Sequence, residues 1–123
     1  MANKIAAITG AGSGIGRASA LALLAGGWDV ALIGRRKEML EETASMAKSG
    51  STLVLPTDVS SPEAVAAAFA AIKSKYGRLD MLFNNAGGNV PTTNFGDFTW
   101  EQWSSVVAVN LNGMFLCANA AFR

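Results

Sequence analysis

The sequence contains no histidine and a single cysteine, Cys117. These absences remove the usual zinc ligand sets and any internal disulfide. Cys117 reads as a small buried hydrophobe, and a reducing cytoplasm is the default compartment. Charge is sparse as well: 15% of residues are charged and the net charge is +1, so neither a nucleic-acid surface nor an acidic partner is indicated. Strand-like residues begin almost at once, which leaves no room for a signal peptide. No apolar run is expected to approach the ~20 residues that span a bilayer. The expectation is a cytoplasmic protein with no metal, nucleic-acid or membrane partner.

What is present is a large apolar fraction, 50% of 123 residues, enough for one domain with a real core. Near the N-terminus stands Thr9-Gly10-Ala11-Gly12-Ser13-Gly14-Ile15-Gly16, directly after the apolar run Ile5–Ile8 and directly before a helical pattern over Gly14–Leu24. Glycines at 10, 14 and 16 suit a sharp turn, a close ligand approach and tight helix–strand packing. The unpaired N–H groups and dipole of the helix start then face an anion such as a pyrophosphate. The fingerprint G-x-G-x-x-G fails, because Ile15 stands where its third glycine would be; T-G-x-x-x-G-x-G fits. No Lys-Ser or Lys-Thr pair follows the glycines, which excludes a Walker loop.

Further along, Gly26-Gly27 ends the first helix and residues 29–33 form a second strand. Residues 36–49 read as an exposed helix whose inner stripe is Met39, Leu40, Thr43, Met46 and Ala47, stopped by Gly50. Residues 52–55 are a third strand, and Ser61-Pro62-Glu63 caps a helix that runs to about Tyr76 before Gly77. Residues 79–83 are a fourth strand. A looser stretch over 87–98 belongs at the mouth of a site. Thr99-Trp100-Glu101-Gln102 reads as a capping box opening a last helix, with Trp103, Val106, Val107, Asn110, Leu111 and Met114 on one stripe. Strand–helix units with nearly continuous apolar strands argue for an α/β fold with a parallel sheet covered on both faces.

At this point the chain resembles the short-chain dehydrogenase/reductase family over its whole length. Thr9–Gly16 fits that family's cofactor turn, which implies cofactor contacts from Gly10, Ser13, Gly14, Ile15 and Gly16. Asp58-Val59 matches the pair beside the adenine ring, although Asp58 could equally cap a turn after the third strand. Asn84-Asn85-Ala86-Gly87 matches the N-N-A-G signature. There the family implies that Asn84 ties strands together while Asn85, Ala86 and Gly87 lie near the cofactor. Asn110 stands where the family keeps the asparagine of its Asn-Ser-Tyr-Lys catalytic set. It is a polar residue on an apolar stripe, and an unpaired buried amide costs about 1–3 kcal/mol, so it needs a defined hydrogen-bonding role.

The residues themselves address the choice of cofactor. NAD sites usually place an acid at the end of the second strand, but here that strand ends Ile33-Gly34-Arg35-Arg36. A guanidinium suits a 2′-phosphate, so Arg35 points to NADP(H) over NAD(H), while Arg36 could equally be a solvated helix-opening residue.

The family's proton transfer needs a serine and a Tyr-x-x-x-Lys pair. The one tyrosine, Tyr76, is followed four residues later by Asp80. The resemblance therefore implies a Rossmann-like doubly wound sheet, truncated at about four strands, with residues 1–123 as an incomplete NADP-binding domain. The parent activity would be hydride transfer to or from a carbonyl or alcohol substrate, and this chain alone would be inactive. A free-standing nucleotide-binding or interaction module is the alternative. No charged residue occurs between Glu101 and Arg123, and in the family that helix packs on a second subunit, so a homo-oligomer through the last helix is expected.

Overall fold

The computed structural model describes residues 3–123. Four strands, β1 (Ile5–Thr9), β2 (Asp29–Gly34), β3 (Thr52–Pro56) and β4 (Met81–Phe83), alternate with α1 (Gly14–Ala25), α2 (Lys37–Met46) and α3 (Pro62–Tyr76). The sheet is parallel throughout, in the order β3-β2-β1-β4. This is the α/β, Rossmann-like arrangement expected from the sequence. The central strands β1 and β2 carry the apolar runs because both of their faces are covered. Ile5, Ala7, Ala31 and Ile33 point to one core with Val65 and Ile72 of α3. Ala6, Ile8, Val30 and Leu32 point to the other, with Ala20 and Leu24 of α1 and Leu40 of α2.

The helix boundaries follow local chemistry. Ser61 accepts a hydrogen bond from Ala64 N–H at the start of α3, and Gly77 ends that helix in the left-handed region, with φ 76°. Thr99 and Gln102 form the expected capping box at the start of α4 (Trp100–Val107). Gly50 takes φ 82° beyond the end of α2. That helix is shorter than its periodicity suggested, and Met46 is about half exposed rather than on the inner stripe.

The last helix departs furthest from expectation. A π-helical turn over Ala108–Asn112 joins α4 to α5 (Gly113–Ala121) without a break. The surface it presents to the core is Val109, Gly113, Leu116, Cys117 and Ala120. The stripe read from the sequence lies elsewhere: Trp103, Leu111 and Met114 are exposed. Apolar residues surround this helix on all sides, so periodicity could not choose its face. Gly113 chooses it, because a Cβ there would stand 2.7 Å from Val59 Cγ2. The helix Trp100–Ala121 also departs from the expectation of no membrane-length apolar run: it has 22 residues and contains an 18-residue window of mean hydropathy 1.2. Burial in this face pushes the pKa of Cys117 up to about 11, so its thiol is inert.

The Gly113–Val59 contact leaves no room for a methyl group. Gly113→Ala is expected to lower stability by about 1–3 kcal/mol in urea denaturation. A loss below about 0.5 kcal/mol, within the range of ordinary surface changes, would show that the helix sits there for another reason.

Candidate functional site

The strand order reverses between β2-β1 and β4, and an open crevice is expected at the C-terminal ends of strands at such a point. A cleft of about 370 Å³ lies there, lined by Gly10, Gly12 and Ser13, by Arg35 and Arg36, and by Val59, Ala86, Gly87 and Val109, among others. The glycine-rich turn forms its floor. Gly10 adopts φ 70°, and a Cβ there would meet the Asn85 amide at 2.9 Å. Any side chain on Gly16 would overlap the Gly10 carbonyl. Gly14 adopts φ 52° with nothing within 4 Å of a Cβ, so its side is left open to solvent.

The start of α1 suits an anion. Ser13 occupies the N-cap, yet its side chain makes no capping bond, and the first turn holds no acidic residue. The first intrahelical bond runs from Arg17 N–H to the Ser13 carbonyl, which leaves the N–H groups of Gly14, Ile15 and Gly16 without helical acceptors. These are the features that a dinucleotide diphosphate needs, and the donor set fits one. Ile15 stands at the rim, 70% exposed.

At the tip of β2, Arg35 and Arg36 line the cleft. The ion pairs among the described residues are Arg17–Glu42 and Arg78–Asp80, so neither guanidinium at the tip is paired. Asp58 is exposed, and its Oδ1 accepts from Ser60 N–H at 3.0 Å and Ser60 Oγ–H at 2.7 Å. Those two bonds, with a smaller contribution from the Arg35 charge, hold its carboxyl below the usual range. Asp58 thus makes the turn-capping contacts weighed from the sequence, while its neighbour Val59 lines the cleft.

At the end of β4 the roles of the two asparagines differ from expectation. Asn84 Nδ2 donates to the Met114 carbonyl at 3.1 Å, so it ties β4 to α5 rather than to another strand. The link between strands comes from Thr9, whose buried Oγ1 accepts from Asn85 N–H at 3.0 Å and Ala86 N–H at 2.8 Å. Asn85 Nδ2 reaches the Gly10 carbonyl at 3.4 Å, which places Asn85 behind the cleft while Ala86 and Gly87 line it. Asn110 is exposed rather than buried, but its amide is fully engaged. Its Oδ1 accepts from Gly88 N–H at 2.7 Å and its Nδ2 donates to the Gly88 carbonyl at 3.0 Å. It sits in the π-helical turn, a device found often at functional sites.

Tyr76 lies at the opposite end of the sheet, where its hydroxyl is 3.0 Å from Ser51 Oγ, just before β3. The buried polar residues among those described are Thr9, Thr43 and Thr57; the sequence places Thr9 in the glycine motif and Thr43 on the inner stripe of α2 but assigns no hydrogen bond to either, and Thr57 carries no signal there. The signal was present for Thr43, a hydroxyl on an otherwise apolar helical stripe, which is the same pattern that singled out Asn110.

Comparison with known proteins gives the family. The family model described as short chain dehydrogenase matches residues 4–123. The chain belongs to the short-chain dehydrogenase family. It is 37% identical over 121 residues to an uncharacterized oxidoreductase of Staphylococcus aureus (strain USA300), which covers 98% of this chain and 52% of that protein. Its fold superposes on levodione reductase with a TM-score of 0.94 at 33% identity, over 99% of this chain and 49% of that one. It also superposes on 3-ketoacyl-(acyl-carrier-protein) reductase from Brucella melitensis complexed with NADH, with a TM-score of 0.90 at 34% identity, over 96% and 48% of the two chains. The chain spans about half the length of these relatives. Members of this family are oxidoreductases that use nicotinamide cofactors.

Thr9→Val would strand Ala86 N–H and leave Asn85 N–H with the Phe83 carbonyl alone. It is expected to cost about 1–3 kcal/mol of stability, with Thr9→Ser recovering most of it. Thermal melts of the three proteins would reveal this; equal stability of Thr9→Val and wild type would remove the hydroxyl from its bracing role.

Proposed function

We propose that this chain forms the cofactor-binding half of an NADP(H)-dependent short-chain dehydrogenase/reductase acting on a carbonyl or alcohol substrate in the cytoplasm. The supporting observation is the tip of β2, where two unpaired guanidiniums line the cleft and no carboxylate stands where an NAD ribose would be held. When bound, the cofactor supplies the hydride acceptor or donor, and the protein supplies position and electrostatics.

Each element then has a task. The N–H groups of Gly14, Ile15 and Gly16, with the Ser13 hydroxyl, hold the diphosphate at the open side of the turn. Arg35 takes the 2′-phosphate through charge-assisted bonds. Val59 and Asp58 flank the adenine, with Asp58 kept ionised by Ser60. Asn85, through its amide on Gly10, and Ala86, through its N–H on Thr9, fix the wall that Gly87 continues on the ribose side. Asn110 holds Gly88 at the mouth, as the positioning member of the catalytic set. None of these groups can protonate a substrate oxygen, and Tyr76 faces away, so the 123-residue chain by itself is expected to be inactive.

Titration with NADPH and NADH in parallel, by calorimetry or cofactor fluorescence, tests the cofactor choice. NADPH is expected to bind more tightly. Arg35→Ala should weaken NADPH by roughly tenfold or more and leave NADH within about twofold, since a hydrogen bond to a charged group is worth about 1.5–3 kcal/mol. Tighter NADH binding by the wild type would overturn the assignment.

The same reading includes self-association through the outer face of the last helix. Trp103, Leu111, Met114 and Phe115 are exposed there, with no charge between Glu101 and Arg123. Sedimentation velocity should give a dimer or larger species, shifted towards monomer by Phe115→Asp. A wild type that sediments as a monomer would refute this.

A further inference from the structure

Arg17 and Thr43 belong to neither the motif positions nor the cleft lining, yet they make a polar junction between α1 and α2. Thr43 is fully buried. Its hydroxyl donates to the Ala11 carbonyl, in the middle of the glycine-rich turn, at 2.9 Å, with the Met39 carbonyl 3.2 Å away. The same oxygen accepts from Arg17 Nε–H at 2.8 Å. The remaining nitrogens of Arg17 donate to the Met39 carbonyl and to Glu42, both at 3.2 Å. Arg17 is therefore spent on α2. It stands in the first helix beside the presumptive anion site but is turned away from it.

The junction has mechanical consequences. The Arg36 carbonyl accepts from Met39 N–H and Leu40 N–H at 3.2 Å, so the Arg35-Arg36 tip is continuous with the first turn of α2. A Cβ on Gly12 would stand 2.9 Å from Met39 Cβ, so only glycine lets α2 lie this close to the turn. The bare Gly12 permits the approach, and the Thr43 hydroxyl on the Ala11 carbonyl ties α2 in it. With the Ala11 N–H bond to the Ile33 carbonyl at 3.2 Å, these contacts fix the turn relative to the tip that carries the guanidiniums.

We propose that Thr43, oriented by Arg17, is a positioning residue for cofactor discrimination: its bond to the Ala11 carbonyl holds the Arg35-Arg36 tip at the distance that a 2′-phosphate requires. This rests on the reading of Arg35 as a phosphate ligand. The hydroxyl touches no cofactor atom and acts through α2. Releasing it lets α2 and the tip drift from the turn, which penalises a ligand gripped at both places more than one gripped at the diphosphate alone.

The test is the ratio of NADPH to NADH affinity in the full-length protein, measured with melting temperature on the same samples. Thr43→Val keeps the shape and removes the hydroxyl, and Thr43→Ser restores it. The ratio should fall by roughly tenfold in Thr43→Val, the scale of one lost buried hydrogen bond, and recover in Thr43→Ser. Arg17→Met, a change at the edge of the same junction, should move the ratio in the same direction and serves if Thr43→Val does not fold. A purely structural role would lower the melting temperature and leave the ratio unchanged, and that result would overturn the inference alone. A wild type without NADPH preference would overturn the reading of Arg35 and this inference with it.

Discussion

The first turn of α1 lies so close beneath the Gly10 carbonyl that any side chain on Gly16 would overlap it. This steric constraint underlies the rest of the site. It brings a helix start to the end of β1 within a turn of a few residues, so Gly10, Gly12 and Ser13 line the crevice at the strand reversal and the free N–H groups of Gly14–Gly16 follow directly after them. It also removes side chains from the floor, so backbone and dipole are the functional groups there. Elements around this turn must hold their positions without side-chain contacts from the glycines, which contribute conformational freedom and backbone groups only.

That support comes from three threonines. Thr9, Thr43 and Thr57 are buried at the cofactor end of the sheet. Thr9 holds the end of β4 through two N–H groups, and Thr43 holds α2 on the Ala11 carbonyl. Thr57 turns the chain beyond β3, with its hydroxyl on the Leu55 carbonyl and its N–H on the Gly34 carbonyl at 2.6 Å. Each hydroxyl bonds to backbone; those of Thr9 and Thr43 join two segments that border the cleft, whereas Thr57 joins β3 to β2 through its N–H. Satisfied buried hydrogen bonds are directional in a way that apolar packing is not, so they fix loops where the aliphatic core of the sheet ends.

Much of this was legible in the sequence because the signals were local. The apolar runs of β1 and β2, the glycine spacing, the Ser61 and Thr99 caps and the bare β2 tip each depend on residues within one turn or strand. Contacts between distant segments were not legible. Nothing local says that Asn84 reaches Met114, that Asn85 braces Gly10, or that Thr43 meets Ala11. The face of the last helix was misread for a related reason: an all-round apolar helix has no period to read, and its orientation depends on one small residue, Gly113, meeting Val59.

That helix also shows why composition and position must be weighed together. By length and hydropathy, Trp100–Ala121 could cross a bilayer. Yet it is tied to the sheet by the Asn84 amide on Met114, by the Asn110 amide on Gly88, and by Gly113 against Val59. Its own Cys117 is buried against the core. Moving it into lipid would break each tie, uncover the core beside β4 and place the Asn110 and Asn119 amides among acyl chains. The helix is therefore a layer of this fold. Its inner side is met by the sheet, and its outer side, from Trp103 to Phe115, is an exposed apolar face, the one to which the proposed self-association is assigned.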